Sequence, residues 1–189
     1  MFGVLSKTYY AQEKGIDPAN IVSVAIMPCT AKKFEARRPE LSDSGFQDTD
    51  YVLTTREFIR MIKEAGIDFA NIPDEEPDEG MSFYTGAGTI FGATGGVMEA
   101  AIRSAYYLVT GTDLQNVDIT AVRGLEGVKE ASVDVPGFGK VNVAGAHGLS
   151  NARKVLDRVR EGLATKGESP WHCIEIMACP GGCVGGGGQ

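Results

Sequence analysis

Residues 21–29 read IVSVAIMPC and residues 173–179 read CIEIMAC. Each is a short apolar run, rich in β-branched side chains, that passes into Met, one further residue and Cys. Runs of this length and composition predict strands, a buried one over Ile21–Ile26 and a final one over His172–Met177. Working outward, Phe2 to Lys14 has a weak helical period that stops at Gly15. Tyr51–Leu53 reads as another strand. Thr54 then opens a helix through a Thr54-x-x-Glu57 capping box, with Phe58, Ile59, Ile62 and Ala65 on one face and Gly66 as the stop. A glycine-rich stretch, YTGAGTIFGATGG (84–96), feeds a helix over 97–109. Val117–Val122 reads as a strand, and Val128–Val135 with Lys140–Ala144 as a hairpin across Pro136-Gly137-Phe138-Gly139. An amphipathic helix covers Leu149–Leu163. Strands interleaved with helices predict an α/β fold with a mainly parallel sheet flanked by helices. No linker or tandem repeat interrupts the chain, so residues 1–189 are expected to form a single domain. Ligands of open α/β sheets collect beyond the carboxyl ends of the strands. The two similar strand ends are therefore expected to aim Met27/Cys29 and Met177/Cys179 into one crevice.

Composition excludes several classes of function. The formal net charge of −7 argues against a nucleic-acid partner, which needs a basic face. No apolar run approaches the length of a membrane span, and residues 1–15 lack the apolar core and cleavage site of a signal peptide. A cytoplasmic location is expected, where thiols stay reduced. There the four cysteines, Cys29, Cys173, Cys179 and Cys183, point to metal binding or catalysis before disulfides. The acidic segment 73–80, PDEEPDEG, reads as a solvated loop.

Cys179 and Cys183 are separated by Pro180-Gly181-Gly182, and four glycines follow Val184. Two thiolates at that spacing can reach one metal centre. The glycines permit positive φ, close backbone approach and anion-binding nests of N–H groups. A thioredoxin-like pair needs two intervening residues, and neither His147 nor His172 has zinc-motif spacing. GAGTIFG is GxGxxxG, not the dinucleotide fingerprint GxGxxG. In MPCTAKKFE (27–35), Cys29 stands at a strand end with Lys32 three residues on and Glu35 three further. That lysine can offset the charge of a thiolate-ligated cluster, with Glu35 holding it. From the residues alone, Cys29 reads equally well as a buried small hydrophobe, and Lys32–Glu35 as a surface i,i+3 pair. Cys173, inside a strand, is expected to be buried and structural.

Taken together and in order, MPCTAKKFE and MACPGGCVGGGGQ closely resemble the second and third signature motifs of the iron-only (FeFe) hydrogenases. GAGTIFGATGGVMEAA and VRGLEGVKEA also look like that family, and the likeness runs over almost the whole chain. The resemblance implies one lobe of a two-lobed catalytic domain that catalyses reversible H2 oxidation and proton reduction. It implies the H-cluster as cofactor: a 4Fe–4S cubane joined through a cysteine sulfur to a two-iron subcluster bearing CO, CN and a dithiolate. By motif position, Cys29 and Cys179 would ligate the cubane and Cys183 would also bridge to the two-iron unit. Lys32 would donate to a cyanide with Glu35 supporting it. Met27 and Met177 would pack as soft walls, and Phe91 and Gly92 would line the pocket, Gly92 allowing close backbone approach.

The first signature motif of the family, a TSCCP-type cysteine pair, is absent, as are ferredoxin-like modules. The sequence therefore reads as the second lobe of a larger catalytic domain. Its expected partners are H2, protons, the first half of that domain, and ferredoxin-like or NAD(P)-linked electron-transfer modules. With three thiolates instead of four, the isolated chain is expected to be inactive and without a complete H-cluster. Two other readings share the fold. A non-catalytic iron–sulfur assembly or lamina-associated relative would keep the cluster cysteines without the two-iron pocket. A sensory hydrogenase would keep the pocket.

Overall fold

The computed structural model describes residues 1–78, 80–81, 85–115 and 127–189. The chain divides into two compact units, Met1–Tyr84 with Gly186–Gln189, and Thr85–Gly185. The strand expected over Val117–Val122 lies outside the described residues.

In the first unit, helix α1 (Phe2–Leu5) passes through a π-helical turn, Ser6–Tyr10, into α2 (Ala11–Lys14). It stops at Gly15 with φ 63, and the Ile16 N–H reaches back to the Ala11 carbonyl at 2.9 Å, a Schellman-type end. The turn carries Lys7, only 3% exposed, whose Nζ donates to the Gln47 carbonyl at 2.6 Å and to both Asp50 oxygens at 2.9 and 2.7 Å. Asp50 also accepts the Ser23 N–H at 2.7 Å. Burial pulls the Asp50 carboxyl up, but its bonds to Lys7 and Ser23 outweigh this and hold it below its ordinary range.

Strand β1 (Val24–Met27) pairs in parallel with β2 (Tyr51–Thr54), Met27 opposite Thr54. β1 starts three residues later than the apolar run predicts, because β2 offers no partner before Val24 and Asp50 takes the Ser23 N–H. Nor is it a buried strand: Val24 and Ile26 are 51% and 48% exposed on a sheet of only two strands. Between the strands lies the short helix α3 (Lys32–Glu35). Helix α4 (Thr55–Glu64) opens on the expected capping box, with Thr54 Oγ1 accepting the Glu57 N–H and Glu57 Oε2 accepting the Thr54 N–H.

In the second unit, α5 (Gly86–Ile90) and α6 (Gly96–Thr110) are followed by β3 (Val128–Val135), β4 (Gly139–His147), α7 (Leu149–Lys166) and β5 (Cys173–Met177). β3–β4 is the antiparallel hairpin expected, turning at Gly137 (φ 78), and β5 lies parallel to β4 on its other side. The described strands thus form two sheets, one wholly parallel and one mixed, both flanked by helices as the α/β pattern predicts. Alternation along β4 buries both of its faces. Val143 joins Val133, Met98, Ile102 and Leu114, while Ala144 and Ala146 join Val155 and Trp171. Arg158 lies over the Trp171 ring, 4.5 Å from its centroid, and pairs with Glu130, which also accepts the Trp171 Nε1–H.

Candidate metal centre

The first unit contributes the end of β1. Pro28 follows Met27 and has no N–H with which to extend the ladder. Its carbonyl instead accepts the Gly188 N–H at 2.9 Å, within the same unit. A Cβ on Gly188 would lie 2.6 Å from Thr54 Cγ2, so only glycine fits there without a shift. Cys29, half-buried, stands between this contact and α3. Lys32 Nζ donates to both Glu35 oxygens, at 2.8 and 2.6 Å. Met27, Lys32 and Glu35 line one cavity of about 360 Å³, with Ala25, Val52 and Asp48 among its other walls. The neighbouring lysine is committed elsewhere. Lys33 Nζ donates to the Val52 carbonyl at 2.9 Å and pairs with Glu57 at 2.7 Å. Lys33, and after it the Thr54 N–H, hold the Glu57 carboxyl down to about 2.

The second unit contributes the end of β5. The Met177 carbonyl accepts the Gly148 N–H at 2.8 Å, and the chain then runs through half-buried Cys179 to exposed Cys183. Gly181 and Gly182 adopt φ 76 and 105, values that L side chains rarely take. The loop is stapled to the turn at 92–95: the Thr94 N–H donates to the Gly181 carbonyl at 3.1 Å and the Val184 N–H to the Gly92 carbonyl at 3.0 Å. A Cβ on Gly182 would lie 2.5 Å from Thr94 N. Gly92 does meet a close approach, but from Val184 of the cysteine loop, whose Cγ1 would be 2.9 Å from a Cβ there. Phe91 beside it is 44% exposed, and Met27 and Met177 are half-buried.

Glu175 is a functional candidate that the sequence reading missed. It accepts the Gly95 N–H through Oε1 and the Met98 N–H through Oε2 at 2.8 Å, and so caps α6 from β5. The available signal was a lone carboxylate inside the apolar run CIEIM. Cys173 corrects an expectation: it is exposed, not buried, because it opens β5 opposite Val143 at the end of the ladder. His172 Nδ1 accepts the Asn142 N–H at 3.0 Å, a structural bond.

All four cysteines are thiols, not disulfides. Among the described residues no three His, Cys, Asp or Glu side chains gather as one metal ion requires. A 4Fe–4S cube makes a different demand, since each thiolate holds its own iron and the sulfurs stand apart. Soft thiolates on loops at strand ends, with glycines at positive φ beside two of them, fit a cluster better than a single ion. Thr94 Oγ1 is buried in the turn beneath Gly181 with no hydrogen-bond partner among the described residues, a polar group available within the loop's own support.

A family model described as the iron-only hydrogenase large subunit, C-terminal domain, matches residues 1–187. The periplasmic Fe hydrogenase large subunit of Nitratidesulfovibrio vulgaris is 54% identical over all of this chain, which covers 44% of that protein. The NADP-reducing hydrogenase subunit HndD of Solidesulfovibrio fructosivorans is 51% identical, with 31% of its length covered. More distantly, the cytosolic iron-sulfur assembly component 3 of Pongo abelii is 33% identical over the whole chain and 40% of that protein. Among solved structures, the hydrogenase HydA1 of Chlamydomonas reinhardtii superposes with a TM-score of 0.77 at 38% identity, over all of this chain and 53% of that one. The chain thus spans less than half the length of these curated relatives.

Proposed function

The chain belongs to the C-terminal-domain family of iron-only hydrogenase large subunits, and from that premise we propose that it is the cluster-holding part of an oxidoreductase acting on H2. Cys29, Cys179 and Cys183 would hold the H-cluster, with Cys183 also meeting its two-iron portion. That group, when bound, supplies heterolysis of H2 and one-electron transfer. The protein's share is ligation, orientation and electrostatics. Lys32, fixed by two bonds to Glu35 and lining one cavity with Met27, would offset anionic charge and donate to a cyanide of the bound group. Met27 and Met177 supply polarizable walls, and Phe91 and Gly92 border the cysteine loop.

The observation that carries this reading is the shared cavity of Met27, Lys32 and Glu35 two residues before and three to six residues after Cys29. An iron–sulfur assembly role, to which the 33% identical relative lends support, needs the cysteines but gives no task to a Lys32–Glu35 pair that shares a cavity with Met27.

Electron-transfer modules, ferredoxin-like or NAD(P)-linked, complete the proposal, in keeping with the NADP-reducing subunit among the relatives. The proposed cytoplasmic location rests on the thiol chemistry alone. Among the described residues no helix is long and apolar enough to cross a membrane.

The test is loading. The chain, combined with the first half of the catalytic domain that carries the fourth cysteine, is reconstituted anaerobically with iron and sulfide, then given a two-iron complex bearing CO and CN. Infrared bands of both ligands should remain after gel filtration, and Lys32→Met should shift the cyanide bands but not those of the carbonyls. Failure to retain the bands, or cyanide bands indifferent to Lys32, would refute the proposal.

A further inference from the structure

Helix α6 begins without a side-chain cap of its own. Gly95, at φ 84, occupies the N-cap position, and a helix start leaves its first four N–H groups without partners inside the helix. The missing acceptor comes from β5. Glu175 divides its two oxygens between the Gly95 and Met98 N–H groups, and its negative charge meets the positive end of the helix dipole. The same turn binds the cysteine loop from its other residues, through Thr94 N–H to the Gly181 carbonyl and Val184 N–H to the Gly92 carbonyl. The contacts close on themselves. β5 runs on through Met177 into the loop of Cys179 and Cys183, and its own carboxylate anchors the turn to which that loop is stapled. Gly182 leaves no slack at the junction, since even a methyl group would strike Thr94 N and the Gly92 carbonyl oxygen, at 2.5 and 2.6 Å.

We infer that Glu175 is a positioning residue for the cysteine loop 179–183, setting the place of Cys179 and Cys183 through the turn at 92–95. The inference rests on the reading of those cysteines as cluster ligands. Glu175 touches no reacting atom; it acts through backbone alone.

Amide hydrogen exchange on the metal-free chain and chelator challenge of the iron- and sulfide-loaded chain test it, comparing Glu175→Gln and Glu175→Asp with the native protein. In Glu175→Gln, exchange at Gly95, Met98, Thr94 and Val184 should quicken about tenfold, with amides of the β3–β4 hairpin unchanged. Iron should be stripped about tenfold faster and the EPR signal of the reduced cluster should broaden. Glu175→Asp keeps the charge and should recover most of both losses. Val155→Ala, in the core on the α7 side, controls for general weakening. It should lower the urea midpoint and leave the chelator rate and the EPR signal as in the native chain.

The inference is overturned if Glu175→Gln loosens only Gly95 and Met98 while Thr94, Val184 and iron retention stay native, for then the carboxylate is a helix cap and nothing more. It is equally overturned if Val155→Ala reproduces the whole pattern. A native chain that retains no iron would strike at the functional proposal instead, while the exchange data would still decide whether Glu175 holds the loop.

Discussion

Lys32 and Lys33 are adjacent and chemically identical, yet the fold gives them separate tasks. Lys33 is tied to the Val52 carbonyl and Glu57, so Lys33→Met should lower the urea midpoint slightly and leave iron binding alone. Lys7 differs from both in being buried. Lys7→Met would strand Asp50, 25% exposed, against the Gln47 carbonyl, and urea denaturation should show a loss of about 3 kcal/mol, the low end for breaking a buried pair. Glycines divide in the same manner. Gly137 sits at an open hairpin tip, so Gly137→Ala should cost only the left-handed backbone, about 1–2 kcal/mol, and spare the cluster. Gly182→Ala adds a collision with Thr94 N and should abolish stable iron loading at Cys179 and Cys183. Most of these distinctions were not legible in the sequence. Spacing singles out Lys32 over Lys33 as three residues beyond Cys29, but only the partners show what each holds.

At the scale of elements, what was local was legible. The capping box at Thr54, the helix stops at Gly15 and Gly66, and the hairpin around Gly137 depend on residues a few positions apart, and the structure places them as expected. What depended on a distant partner was not. β1 loses its first three residues and its burial because β2 is short, and Cys173 is exposed because it stands at the end of its ladder. Glu175 escaped notice because its partners lie about 80 residues earlier. The start of α4 also gives a pH dependence. The folded state holds Glu57 well below the ordinary 4.5, down to about 2, so its contribution is complete above that ordinary value and fades as pH falls toward 2. The urea midpoint should therefore drop between pH 5 and pH 2.5, and the drop should be shallower in Glu57→Gln; equal slopes would mean that Glu57 takes no part.

At the scale of the whole chain, each unit carries one strand that ends in Met-x-Cys, and the last residues of the chain rejoin the first unit beside Pro28. The two motifs were legible in the sequence, and the family comparisons bear out the membership they implied. Iron and sulfide counting after anaerobic reconstitution tests the proposed ligand set most directly. The native chain should hold about four of each. Replacing Cys29, Cys179 or Cys183 singly by Ser should remove more than half of that iron and alter the EPR signal, whereas Cys173→Ser should change neither. A Cys29→Ser chain that loads iron as the native chain does would contradict the account, because Cys29 would then not be a ligand.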